Sequence, residues 1–162
     1  MIISIKNTIS QVYKPLSLSL ANLETEIESQ DYDACRFHLG SKIIIFRKAK
    51  ITPKKVGQFV TFWKRAKTGV ICPFEESDHF DFFVIAASKD NFSGQFVFPK
   101  KLLLEKGIIS TGKKEGKRGF RVYPPWDVTK SKQAITTQKW QEKYFFHIHD
   151  TLDENRIRML YN

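Results

Sequence analysis

YDACRFHLGSKIIIFRKAKI, residues 32–51, holds two strand-like runs joined by a glycine and a serine. The first, Tyr32–Leu39, alternates apolar with polar side chains, whereas the second, Lys42–Ile51, opens on the nearly continuous apolar stretch IIIF. Alternation suits a strand with one wet face, and a continuous run suits a strand buried on both. With Gly40 and Ser41 at the turn, the segment predicts a β-hairpin whose strands are half or fully buried.

Toward the N-terminus, Ile5, Ile9 and Val12 recur at helical spacing and predict a helix over Ile2–Tyr13, ended by Pro15. Leu23–Glu28 forms a second element, helical or extended. On the other side, Thr52 followed by Pro53 has the form of an N-cap with proline at the first helical position. TPKKVGQFVTFWKRA, residues 52–66, is therefore expected to be a helix, with Val56, Phe59, Val60 and Trp63 as its buried stripe. HFDFFVIAAS (79–88) and GQFVFP (94–99) read as strands, and KKLLLEKG (100–107) reads as a short helix closed by Gly107. TGKKEGKRG (111–119) reads as a mobile basic loop, FRVYPPW (120–126) as a strand broken by Pro-Pro, and Ser131–Phe146 as a helix packing through Ile135, Trp140 and Tyr144. This order predicts an α/β fold with a central mixed sheet flanked by helices.

Composition sets the outer bounds. With 162 residues, 41% of them apolar and 14 of them Phe, the chain fits one domain over 1–162 with a single core. Cys35 and Cys72 are far apart and form no CxxC pair, so a reducing, cytoplasmic setting is expected. No apolar run approaches the roughly 18 residues that would suggest a membrane span.

The formal net charge is +10, and its distribution is uneven. Residues 42–67 contain nine basic and no acidic side chains, and residues 113–143 contain nine basic and three acidic. The N-terminal 41 residues hold three basic and five acidic, and residues 68–112 hold four and six. Two cationic blocks in an otherwise balanced chain predict a polyanion partner, and nucleic acid fits best. Enzyme signatures are sparse: there is no GxxxxGK[ST] and no GxSxG. His147 and His149, followed by Asp150, have the spacing of a metal-binding pair on a strand, but a solvent-facing pair is the favoured reading.

RKAKITPKKVGQFVTFWKR (47–65), GQFVFPKKLLLEKGIIS (94–110), GKRGFRVYPPWD (116–127) and TQKWQ (137–141) together resemble the bacterial MepB family, in the same order and over most of Glu24–Tyr144. The resemblance implies a restriction-endonuclease-like fold of the PD-(D/E)xK kind and a link to a multidrug efflux system. In that pattern, carboxylates hold Mg²⁺ and a lysine positions the attacking water. Glu26 or Glu28 would supply the early acid, Asp33 the strand acid and Lys50 the lysine, with Asp81 as a substitute carboxylate. Lys48, however, stands where the pattern needs an acid or Gln, and a cation there repels the metal. The resemblance thus implies a degenerate centre in Glu28, Asp33 and Lys50, no cofactor, and binding without catalysis.

The nucleic-acid contacts expected from the residues themselves are Lys48, Lys50, Thr52, Lys54, Lys55, Gln58, Lys64 and Arg65 in the first block. Several of these would gather at the N-terminus of the expected helix, where backbone N–H groups favour phosphate. Lys113, Lys114, Lys117, Arg118 and Arg121 form the second set, on the basic loop. Tyr123, Trp126 and Trp140 could stack on bases, although a core role is the stronger expectation. DNA is expected ahead of RNA. The alternatives are an active Mg²⁺-dependent nuclease and an efflux accessory protein that binds a small cationic ligand.

Overall fold

The computed structural model describes residues Ile2–Asn162. Six strands form the main sheet: β1 (Leu20–Thr25), β2 (Cys35–Leu39), β3 (Lys42–Lys48), β8 (Phe82–Lys89), β9 (Phe92–Pro99) and β11 (Phe145–His147), in that spatial order. Every neighbouring pair is antiparallel except β3 and β8, which run parallel from Ile44 beside Phe82 to Lys48 beside Ala86. The hairpin of residues 32–51 thus places β3 inside the sheet, as its continuous apolar run requires. Gly40 at the turn has φ +58°, a left-handed conformation that suits glycine.

Both faces of the sheet are covered. Ile44, Phe46, Val84, Val97 and Phe146 meet the N-terminal helix α1 (Ile3–Thr8, continued as a π-helical turn to Tyr13) and α4 (Glu154–Leu160). On that side the Tyr13 and Tyr161 hydroxyls share a buried hydrogen bond of 2.8 Å, which satisfies two polar groups that burial would otherwise penalise. Ile45, Phe83, Ile85, Phe96 and Phe98 face the opposite layer. That layer contains α2 (Lys100–Glu105), α3 (Lys132–Gln141) and two small sheets. One small sheet has the order β10 (Gly119–Val122), β5 (Gln58–Thr61), β4 (Lys50–Ile51), and the other pairs β6 (Trp63–Arg65) with β7 (Ile71–Pro73).

The expected helix over 52–66 is instead a loop followed by β5 and β6. The stretch GQFVTFW carries two competing periodicities, and the two-residue one prevails. Gln58, Val60 and Phe62 turn inward, and Phe62 stacks between Phe83 at 4.0 Å and Phe74 at 4.4 Å. Gly57 enforces the break from helix: its φ is +82°, and a Cβ there would lie 2.6 Å from the Tyr123 ring and 2.8 Å from the Val122 carbonyl oxygen. A proline after a threonine therefore opens a turn here, not a helix. Of the two alternatives for the second element, the extended one holds at residues 20–25. One smaller expectation changes: the helix beginning at Lys132 gives way to a strand at Phe145, with Ile135 on its exposed face.

Candidate anion-binding cleft

Beside β10 and α3 lies a cleft of about 680 Å³ lined by five cationic side chains, Lys55, Lys106, Lys117, Arg121 and Lys130, and by no carboxylate. Different segments supply them: the β4–β5 loop, the C-cap of α2, the basic loop, β10 and the approach to α3. Among the described residues, none of the five forms an ion pair. The N-cap of α3 adds Ser131 and the helix itself Gln133 and Thr137, and the half-buried aromatics Tyr123 and Trp140 complete the wall.

Hydrogen bonds from α3 fix this geometry. Gln141 is fully buried; its Oε1 accepts from the Tyr123 N–H at 2.8 Å, and its Nε2 donates to the Arg121 carbonyl at 3.0 Å. Gln138 Nε2 donates to the carbonyls of Pro124 at 3.0 Å and Asp127 at 2.8 Å. Two glutamines one helical turn apart thereby tether the chain that carries Arg121 and Tyr123. Arg121 in turn donates to Thr52 Oγ1 and to the Val56 carbonyl, joining β10 to the β4–β5 loop. Lys106 Nζ sits 5.1 Å from the centre of the Trp140 ring, a cation–π contact that leaves its charge uncancelled.

The residues expected from sequence divide into three groups. Lys55, Lys117 and Arg121 line the cleft, while Thr52 and Lys54 line shallower hollows that share Lys55 with it. Lys48 and Lys50 are exposed, and Lys50 Nζ lies 4.7 Å from the centre of the Tyr32 ring. Lys113 and Lys114 border a separate hollow beside Glu75 and Glu115. The third group is engaged in other ways. Lys64 pairs with Asp78 at 2.8 Å, Arg65 with Glu28 at 2.5 Å and Arg118 with Glu115 at 2.9 Å, whereas Gln58 is buried and donates to the Ser88 carbonyl. No helix N-terminus exists at Thr52 to gather phosphate, because the helix itself is absent.

The basic loop is tied down at several points. Thr111 Oγ1 accepts from the N–H groups of Lys113 and Lys114, Gly116 N donates to Ser110 Oγ at 2.7 Å, and Lys117 N donates to the Ile108 carbonyl at 2.8 Å. These bonds anchor a loop that its three glycines had suggested would be free. Lys106 and Lys130 escaped the sequence reading. Lys106 lies in a stretch of balanced charge and gives no local signal, whereas Lys130 directly precedes Ser131, the side-chain N-cap of α3.

The acids proposed for a metal centre are largely occupied. Glu26 binds the buried Arg47 at 2.6 Å, Glu28 binds Arg65, and Asp81 Oδ2 accepts from the Ile43 N–H at 2.8 Å. Asp33 follows a short 3₁₀ turn, with φ +51°. His147 and His149 stack with ring centres 5.0 Å apart, and burial, His149 and Arg156 all lower the His147 pKa. No group of three or more His, Cys, Asp or Glu side chains is placed to hold a metal among the described residues. Trp126 stacks on Phe92 at 5.5 Å, outside the cleft.

The fold and cleft together define a mixed α/β protein with an unneutralised cationic hollow built against one face of its sheet. Residues 26–147 match the MepB-like family, and the chain belongs to that family. It is also similar to the solved structure described as "Crystal Structure of MepB", with 36% identity over 93% of this chain and 100% of the other, at a TM-score of 0.81. A search of the curated proteins gives no match. No helix among the described residues is long and apolar enough to cross a membrane.

Proposed function

We propose that the protein binds nucleic acid, DNA ahead of RNA, mainly through phosphate contacts in and around the cleft. The observation that carries this reading is the convergence of five cations without a carboxylate or an ion pair among them. Mutual repulsion makes such a cluster costly in isolation, and a polyanion relieves it. Lys54 and Lys50 would extend the track beyond the cleft, whereas Lys48 lies beside α1 on the other face of the sheet and would meet a phosphate only there. A restriction-endonuclease-like ancestry and a binding role without metal-dependent cutting belong to the same proposal. They are supported by Lys48 at the acidic position and by the arginines that occupy Glu26 and Glu28. A working connection to an efflux pump and a cytoplasmic location are further parts of it, resting on the family resemblance and on two unpaired cysteines. The cationic cleft disfavours a small cationic ligand.

Retardation of a labelled oligonucleotide, scored alongside plasmid cleavage with and without Mg²⁺, tests this reading. With about six phosphates contacted, affinity falls about a thousandfold between 50 and 200 mM salt through counterion release. A flat salt response overturns the phosphate model, and Mg²⁺-dependent cutting overturns the binding-only role.

A further inference from the structure

The cleft is small enough to close around one ligand, and its charge is denser than a single strand alone supplies. A volume of about 680 Å³ is that of a single small-ligand site and spans roughly 9 Å. A strand carries one charge per nucleotide and places about two or three phosphates across that span at ~3.4 Å spacing. Five cations converge there. A nucleoside triphosphate concentrates about four negative charges in one short chain, since its terminal phosphate carries nearly two at neutral pH.

We propose that the cleft is a site for a nucleoside polyphosphate, with Lys55, Lys106, Lys117, Arg121 and Lys130 around the phosphate chain. This inference rests on the reading of the cleft as an anion site given above. The α3 wall suits the nucleoside. Gln133, Thr137 and Trp140 recur at helical spacing along α3 and all border the cleft, offering an amide, a hydroxyl and an indole to one ligand, with Lys106 against the Trp140 ring and Lys130 at the start of the helix. The site is preformed, because Gln141 tethers Arg121 and Tyr123 through their backbone. Binding therefore orders little that is not already ordered.

Calorimetric titration of the full chain with ATP, AMP and inorganic tripolyphosphate, without divalent metal, tests the inference beside retardation of a 5′-hydroxyl oligonucleotide. ATP is expected to bind at least tenfold tighter than AMP and tighter than tripolyphosphate. The double variant Lys106→Gln/Lys130→Gln, changed at two exposed positions, is expected to lose at least tenfold in ATP affinity with an unchanged melting temperature. Should the double variant fold poorly, Lys130→Gln alone gives the same reading through the same titration. Equal binding of AMP and ATP, or ATP binding indifferent to the variants, overturns the proposal, and equal binding of tripolyphosphate and ATP removes the nucleoside from it. Oligonucleotide retardation without ATP binding sinks this inference and leaves the nucleic-acid reading standing. ATP binding without retardation does the reverse.

Discussion

Lys54 and Lys55 stand at the middle of an acid-free stretch, and Lys64 and Arg65 follow ten residues later. The first pair enters the β4–β5 loop, lines the cleft and its neighbouring hollows, and has no acidic partner among the described residues. The second pair lies on β6, where Asp78, Glu75 and Glu28 arrive from distant parts of the chain; Lys64 lies 2.8 Å from Asp78 and 3.9 Å from Glu75. Burial acts against the Lys64 charge, but the hydrogen bond and attraction of Asp78 outweigh it and raise its pKa. A run without acids along the sequence is therefore not a run without acids in space. On the proposed phosphate-binding reading, the cations that the fold leaves unpaired contribute most.

The sharpest test of the paired side uses its most buried member. Arg47 has no exposed surface, its Nη2 donates to Glu26 at 2.6 Å, and its Nη1 donates to the Phe46 carbonyl at 2.9 Å. Burial pulls the guanidinium pKa down while Glu26 holds it up. Glu26→Ala would strand that charge, at a cost of about 3 kcal/mol read as a shift in urea midpoint at constant m-value. Adding Arg47→Met should recover most of the loss, because an apolar side chain needs no counter-charge. A cost below about 1 kcal/mol for Glu26→Ala would show that the pair is not structural.

The comparison is tested directly by two double variants that remove the same net charge. Lys54→Gln/Lys55→Gln should weaken oligonucleotide binding and lower the salt slope by about 1.8, one contact at each position. Lys64→Gln/Arg65→Gln should leave the slope unchanged and cost about 1 kcal/mol of stability, as expected when partly exposed ion pairs are lost. Equal loss of affinity in both variants would mean that net charge, and not its placement, governs binding.

The sheet was legible from sequence where burial imposed a simple pattern. IIIF and FFVIAA carry continuous apolar runs because β3 and β8 are adjacent and covered on both faces. Residues 52–66 misled because Thr52-Pro53 and the spacing of Val56, Phe59, Val60 and Trp63 satisfy helix rules locally. The pairing of β5 with β10, some sixty residues away, and the close approach of Gly57 to Tyr123 decide the matter instead. Tertiary contact overrode local propensity. Four of the five cleft cations lie in the two basic blocks, and three of them, Lys55, Lys117 and Arg121, were expected as contacts. Lys106 was not, since only folding brings the end of α2 beside Trp140 and α3.

The finest comparison sets Lys50 against Asp33, two residues of the proposed nuclease-like centre that form no ion pair among the described residues. Lys50 is exposed on β4 and its ammonium faces the Tyr32 ring at 4.7 Å, a position from which it can reach a phosphate along the track leading to the cleft. Lys50→Ala should lower oligonucleotide affinity by the value of one contact, a few-fold at moderate salt. Asp33→Asn removes the carboxylate next in sequence to Tyr32, whose ring Lys50 faces, and on the binding reading relieves repulsion there, so affinity should stay level or rise slightly. The two substitutions act in opposite directions if the centre only binds. In a metal-dependent nuclease they would act together, because one removes a metal ligand and the other the cation that positions water. Plasmid cleavage that requires Mg²⁺ in the wild type and disappears in both variants would make Asp33 and Lys50 catalytic and end the binding-only reading.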